Sequence, residues 1–112
     1  MSGSSKSMLK SAMQEDFPEP ISGYLMEVRF SCLCVLGRIY CDTSGVYSDG
    51  EIIVPEEIIK VAQYGRRWMV KTTGIGTLVV VGFDRRGGFI SLKQLIGYFQ
   101  SASLVGAGLS IH

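Results

Sequence analysis

The side chains best suited to binding chemistry are two arginine pairs, Arg66-Arg67 and Arg85-Arg86. They flank a stretch from Arg66 to Phe83 whose alternating and β-branched residues predict a hairpin, and antiparallel pairing is expected to bring its two ends together. Arg38 and Lys71 are expected to join them, with Trp68 and Phe89 beside them in sequence. A guanidinium is a planar fork of donors that matches the paired oxygens of a phosphate or carboxylate. An aromatic neighbour adds a surface that can be buried at an interface. Arg38, Arg66, Arg67, Trp68, Lys71, Arg85 and Arg86 are therefore the expected binding residues for anionic lipid, nucleic acid or a partner protein. The plainer alternative is a solvated turn decorated with charge.

Bond-making chemistry has less to work with. The single histidine, the commonest general base near neutral pH, is His112, the last residue. No spacing supplies a serine or cysteine nucleophile with another base. The three cysteines read Cys32-x-Cys34-x6-Cys41. A structural zinc site wants four ligands, commonly begun by a C-x2–4-C pair; Cys32 and Cys34 are instead expected as small core residues. Gly74-Ile75-Gly76 resembles the start of a phosphate loop but lacks the lysine and helix that would hold the anion. Gly87-Gly88 precedes a helix start and gives only a weak anion signal. Glu27, Asp42, Asp49, Asp84 and the Glu56-Glu57 pair show no catalytic spacing and suit turns, a helix dipole and a solvated strand face. No catalytic residue, metal or cofactor is expected.

These residues must be positioned by one domain. A chain of 112 residues has the size of a single domain with a core of its own. Hydrophobic residues make up 46% and charged residues 19%, which excludes a disordered polyelectrolyte. The net charge of +1 gives no global steering toward nucleic acid, so a basic site must be local. A mean hydropathy of +0.27 suggests apolar surface that a partner, a second copy or a membrane covers. The longest apolar run is far short of the roughly 20 residues a membrane helix needs, the start lacks a secretory apolar segment, and an odd cysteine count suits reduced thiols. A cytoplasmic protein is expected, with a peripheral position on a membrane's inner face or in a virion as the finer expectation.

Along the chain, residues 1–20 read as a flexible arm. Met8, Leu9, Ala12 and Met13 are spaced for one amphipathic turn, followed by Glu15-Asp16-Phe17-Pro18-Glu19-Pro20. Lys6, Lys10, Phe17 and Pro18 are its expected partner-binding residues. Residues 21–112 read as the folded domain. Strict alternation predicts a strand from Tyr24 to Cys32, with Tyr24, Met26, Val28, Phe30 and Cys32 on one face and a phase shift near Gly37. Asp49-Gly50 predicts a hairpin between Val46-Tyr47 and Ile52-Ile53-Val54. Pro55, Glu56 and Glu57, with an apolar face of Ile58, Val61 and Ala62 and with Gly65 as its stop, predict a helix over 55–64. Strands follow at Trp68–Thr72 and Thr77–Phe83, the second a β-branched run expected to be central and buried on both faces. Ser91 and Gln94 predict a capping box, and Ile90 with Leu95 a hydrophobic staple, opening a final helix; Gly97 inside it suggests close packing on another backbone. Residues 102–112 read as an edge strand or a loose tail. The fold class is α+β: a mostly antiparallel sheet of about four to five strands, two helices and a flexible N-terminal arm.

The segment Gly23-Tyr24-Leu25-Met26-Glu27-Val28-Arg29-Phe30, followed by Gly37-Arg38-Ile39-Tyr40-Cys41, resembles strands in matrix proteins of small non-segmented negative-strand RNA viruses of bornavirus and rhabdovirus type. The order of basic start, acidic proline-bearing patch and compact core is also similar. The resemblance covers about the middle half of the chain. The arm holds Phe17-Pro18-Glu19-Pro20 where a PPxY or PTAP budding motif would stand. The resemblance implies a protein that self-associates beneath an envelope, binds acidic lipid through basic patches and touches the nucleocapsid.

The expectation is thus a non-enzymatic, self-associating scaffold. Its expected partners are further copies of itself, an anionic membrane surface, and RNA or nucleocapsid in weak contact. The alternative is a small adaptor, inhibitor or immunity-type module that binds one protein through the arginine–aromatic patch. A nucleic-acid binder would lose affinity steeply with salt.

Overall fold

The computed structural model describes residues 3–104. The elements run α1 (Gly3–Met13), β1 (Gly23–Ser31), β2 (Cys34–Tyr40), β3 (Glu51–Ile52), β4 (Glu56–Tyr64), β5 (Arg67–Thr72), β6 (Thr77–Val80) and α2 (Gly88–Leu104). The fold is α+β: two helices on a mostly antiparallel sheet of order β1-β6-β5-β4-β2-β3. An added β1–β2 pairing closes five of the strands into a barrel, and the two-residue β3 hangs on β2. Closure rests on one parallel ladder, Gly23↔Leu78 to Leu25↔Val80. A meander with an odd number of barrel strands brings first and last together pointing the same way. Thr77–Val80 is buried throughout between β1 and β5, the central strand that its β-branched run predicts.

Alternation along the strands separates two apolar clusters. The interior holds Leu25, Val28, Phe30, Val35, Ile39, Ile58, Val61, Val70, Leu78 and Val80. One mouth of the barrel is plugged by Leu92, Leu95 and Phe99 of α2, which packs chiefly on β1. Outside the barrel, Met26, Met69, Val79 and Val81 form a second cluster with Tyr24, Tyr40 and Ala62. The N-terminal segment covers it with Ala12, fully buried, and with Leu9, Phe17 and Ile21. The segment expected as a flexible arm with one amphipathic turn therefore holds an 11-residue helix and lies against the sheet.

Several local expectations are corrected. Residues 56–64 form a strand. A bulge at Ile59 separates inward Ile58 from inward Val61 by three residues, which imitates helical spacing. Gly65, at φ 60°, serves the β4–β5 turn rather than a helix end. The β1 face does not alternate strictly. Glu27 takes φ 54° in a bulge, so Tyr24 and Met26 face outward and Val28 and Phe30 inward. Gly37 lies opposite that bulge, and a β-carbon there would stand 2.9 Å from the Met26 carbonyl oxygen. The chain reverses at Cys32-Leu33, so Cys32 is exposed in a turn at φ 50° and Cys34 is half-buried, neither in the core. Val46-Tyr47 forms no strand; the short β3 pairs with β2 instead. Helix α2 starts three residues before Ser91, whose N–H donates to the Gly87 carbonyl at 2.9 Å. The Ser91 hydroxyl accepts the Phe30 N–H at 2.9 Å and so ties α2 to β1 instead of capping it. Ile90 is exposed and makes no staple, and nothing lies within 4 Å of where a Gly97 β-carbon would sit. Residues 102–104, expected in an edge strand or loose tail, continue α2, and the rest of that stretch with His112 lies outside the described residues.

Candidate functional site

On the outer face of the barrel, cross-strand neighbours build a short ladder of cations and apolar groups. Tyr64 pairs with Arg67, Ala62 with Met69, and Lys60 with Lys71, which pairs in turn with Thr77. The N-terminal segment crosses this ladder. The Arg67 Nε donates to Glu15 Oε2 at 2.7 Å, with the arginine side chain only 17% exposed. The Phe17 ring tilts onto Tyr64, with centroids 6.0 Å apart. Two residues further, Glu19 accepts the Thr77 hydroxyl in a shallow cleft that Lys60 and Lys71 also line. Neither lysine reaches ion-pair distance of a carboxylate among the described residues.

A second surface lies at the start of α2. The turn Asp84–Gly87 carries Arg85 and Arg86, both exposed, and the Asp84 carboxylate accepts the Arg86 N–H at 2.8 Å. The solvent arc of α2 then presents Phe89 (49% exposed), Ile90 (63%), Lys93, Gln94, Gly97 and Tyr98 (61%). Phe89 is edged by Phe83 at 5.4 Å, and the Lys93 ammonium sits 5.2 Å from its ring centre. The α2 segment contains no acidic residue. Its buried arc is spent on the core, and Ile90, Tyr98 and about half of Phe89 are left open to solvent. Apolar and cationic groups together form an amphipathic surface that suits a charged, partly apolar partner.

The loop between β2 and β3 is organised by one carboxylate. Asp42 accepts N–H groups of Tyr47 at 2.9 Å and Ser44 at 3.0 Å. Those bonds, Tyr47's foremost, hold its pKa below the ordinary aspartate value. Cys41, at φ 55°, donates its N–H to Asp49 and rests its sulfur 3.8 Å from that of Met13. Burial, then the Asp49 carboxylate, pushes the Cys41 thiol above its ordinary pKa, the reverse of what activates a thiol nucleophile. Tyr24 is raised likewise, by burial first and by Cys41 second.

The residues expected to form one patch are distributed over several environments. Arg67 and Lys71 share the outer ladder. Trp68 faces the other way and packs against the interior cluster. Arg38 is bound on the β2–β3 side, to Glu27 at 2.9 Å and to the Gly50 carbonyl at 2.9 Å. Arg66, in the β4–β5 turn, and Arg85 and Arg86, before α2, are exposed without an ion pair among the described residues. The hairpin register puts the start of β5 beside the end of β6. Beyond Val80, however, the chain leaves β5 and follows β1, with Val81 N–H on the Leu25 carbonyl and Phe83 bridged to Val28. Arg85 and Arg86 are thus carried to α2. In the arm, Lys6, Lys10 and Pro18 are exposed and Phe17 is packed. Sequence reasoning missed Lys60, Tyr64, Glu15 and Glu19 as members of the ladder and its cover. The period-2 placement of Lys60, Ala62 and Tyr64 was the available signal, hidden by the bulge at Ile59.

Comparison with protein families, curated proteins and solved structures finds no match to this chain. Among the described residues, no helix is long and apolar enough to cross a membrane.

Proposed function

We propose that the chain is a non-enzymatic, self-associating structural protein that docks on an anionic membrane surface, in the manner of a matrix protein, through the solvent arc of α2. The observation that carries this reading is the joint exposure of Phe89, Ile90, Lys93 and Tyr98 on a helix without carboxylates, with Arg85 and Arg86 exposed in the turn before it. Apolar rings and branched chains enter the headgroup boundary while cations pair with lipid phosphate. Self-association is supported by a second exposed group, Val46, Ile52 and Val54, around the short edge strand β3. RNA or nucleocapsid contact is a further, weaker role for the exposed arginines.

Vesicle co-sedimentation tests the reading. The protein is expected to pellet with vesicles rich in phosphatidylserine and to stay in solution with phosphatidylcholine alone. Each cation near such a surface contributes about 1 kcal/mol, so neutralising Arg85 and Arg86 together should weaken binding about 30-fold. Phe89→Ser with Ile90→Ser should weaken binding at every salt concentration, because their contribution is not screened. Equal partition onto both vesicle types, or none onto either, rejects the reading. A one-to-one complex with a single protein and no vesicle binding would favour the adaptor alternative.

A further inference from the structure

We propose that the outer ladder of β4, β5 and β6 is a peptide-binding groove for an acidic, aromatic-bearing segment of a partner protein, with residues 15–19 of this chain as its resident occupant. This surface is separate from the α2 arc and does not depend on the membrane reading. Three contacts define what the groove takes. Glu15 meets the Arg67 guanidinium at 2.7 Å, Phe17 meets the Tyr64 ring at 6.0 Å, and Glu19 meets Thr77 beside Lys60 and Lys71. The contacts fall on every second residue of a segment that bends at Glu15 and again at Pro18-Glu19, so that all three side chains reach the same ladder. Charge complements charge at both ends and ring meets ring between them. The floor is Met69 and Ala62, and a methionine floor adapts to different side chains.

The attachment also has the character of an exchangeable one. Among the described residues, α1 takes no part in the principal element-to-element packing, and of its residues 6–13 only Ala12 is fully buried. Met8 and Met13 at the seam remain more than 40% exposed. The interior cluster contains no residue of the N-terminal segment, which packs on the outer cluster instead. A tethered occupant competes at an effective concentration of about 1 mM. A partner peptide of the same chemistry must outcompete it, which makes the groove a gated site.

The test uses a fluorescein-labelled synthetic peptide with the sequence of residues 12–22, added to the full chain and followed by anisotropy. The tethered copy should keep its affinity for the wild-type protein low. Phe17→Ala with Glu19→Gln in the full chain weakens the resident occupant and should tighten the added peptide about 10-fold. Arg67→Glu should abolish binding in both backgrounds, and a peptide with serine in place of its phenylalanine should bind at least several-fold more weakly. No binding to the arm-weakened chain overturns the proposal. So does equal competition by an RNA homopolymer, which would mark the ladder as a general polyanion surface. Should the arm-weakened variant fail to fold, amide shifts in the wild-type chain decide. Peptide-induced shifts confined to Lys60, Tyr64, Arg67 and Lys71 support the groove, and none at millimolar peptide refutes it.

Discussion

Helices α1 and α2 both cover the barrel, but they do so on unlike terms. Helix α2 drives Leu92, Leu95 and Phe99 into the barrel mouth, where they join the side chains of five strands in one continuous core. Helix α1 lies outside, seated by Ala12 and part of Leu9, and the segment behind it is held by an ion pair, a ring contact and a hydroxyl bond. The first attachment excludes water and is indifferent to salt. The second adds to a narrow apolar seam polar contacts that water and ions can replace, and a partly exposed ion pair contributes at most about 1 kcal/mol. One helix contributes side chains to the barrel interior; the other covers the apolar cluster on its outside.

The largest expected effect that separates the two comes from Phe99→Ala. Phe99 is 1% exposed, and emptying its place should cost about 3–5 kcal/mol, read as a fall in urea midpoint with the slope unchanged. A loss below about 1 kcal/mol would mean that α2 is no more essential than α1. Ala12→Glu attacks the other helix by placing a carboxylate in an apolar seam. Relief is at hand through detachment, so the global midpoint should fall by less than about 2 kcal/mol while amide exchange accelerates over residues 8–21 alone. Global unfolding of that variant would erase the contrast. Gly97→Ala sharpens it within α2, since the added methyl meets nothing within 4 Å. The helix should gain up to about 1 kcal/mol in thermal melts of the isolated protein. A destabilisation there would show that the outer arc is already packed in solution.

The smallest effect concerns neither helix but the β2–β3 loop. Asp42 has a lowered native pKa, so its contribution is full above the ordinary aspartate value and is lost as pH falls through the lowered one. Exchange of the Tyr47 amide, corrected for intrinsic rate, should therefore be protected near neutrality and should lose protection only in acid. Asp42→Asn should lose part of that protection at all pH values and with it the acid step.

Much of this architecture was legible in the residues. The β-branched run Thr77–Phe83 announced a strand buried on both faces; its first four residues form that strand, β6, through which the barrel closes. The two illegible places share one cause. A bulge adds a residue without adding a side to the strand, so Ile58 and Val61 acquire the spacing of a helix, and Met26 and Val28 seem to share a face while belonging to different clusters. Residue type does not reveal this, because the outer face of β1 and β5 is itself apolar under the N-terminal cover. The binding residues suffered likewise. Pairing Arg66-Arg67 with Arg85-Arg86 assumed that the hairpin continues, whereas after Val80 the chain parts from β5 and stays with β1 alone. Which strand a segment follows is settled by hydrogen bonds distant in sequence, here Val81 N–H to Leu25, and local pattern carries no record of them.

The parallel ladder between β1 and β6 also sets an order of events at the ribosome. The β1–β2 hairpin can assemble as soon as it emerges, but the free side of β1 has no mate until Leu78 to Val80 have been synthesised. Through that interval Leu25 and its neighbours offer an open, apolar strand margin to any other nascent chain. Any chain in which that ladder has not yet closed therefore carries an open strand edge that a second copy can pair with.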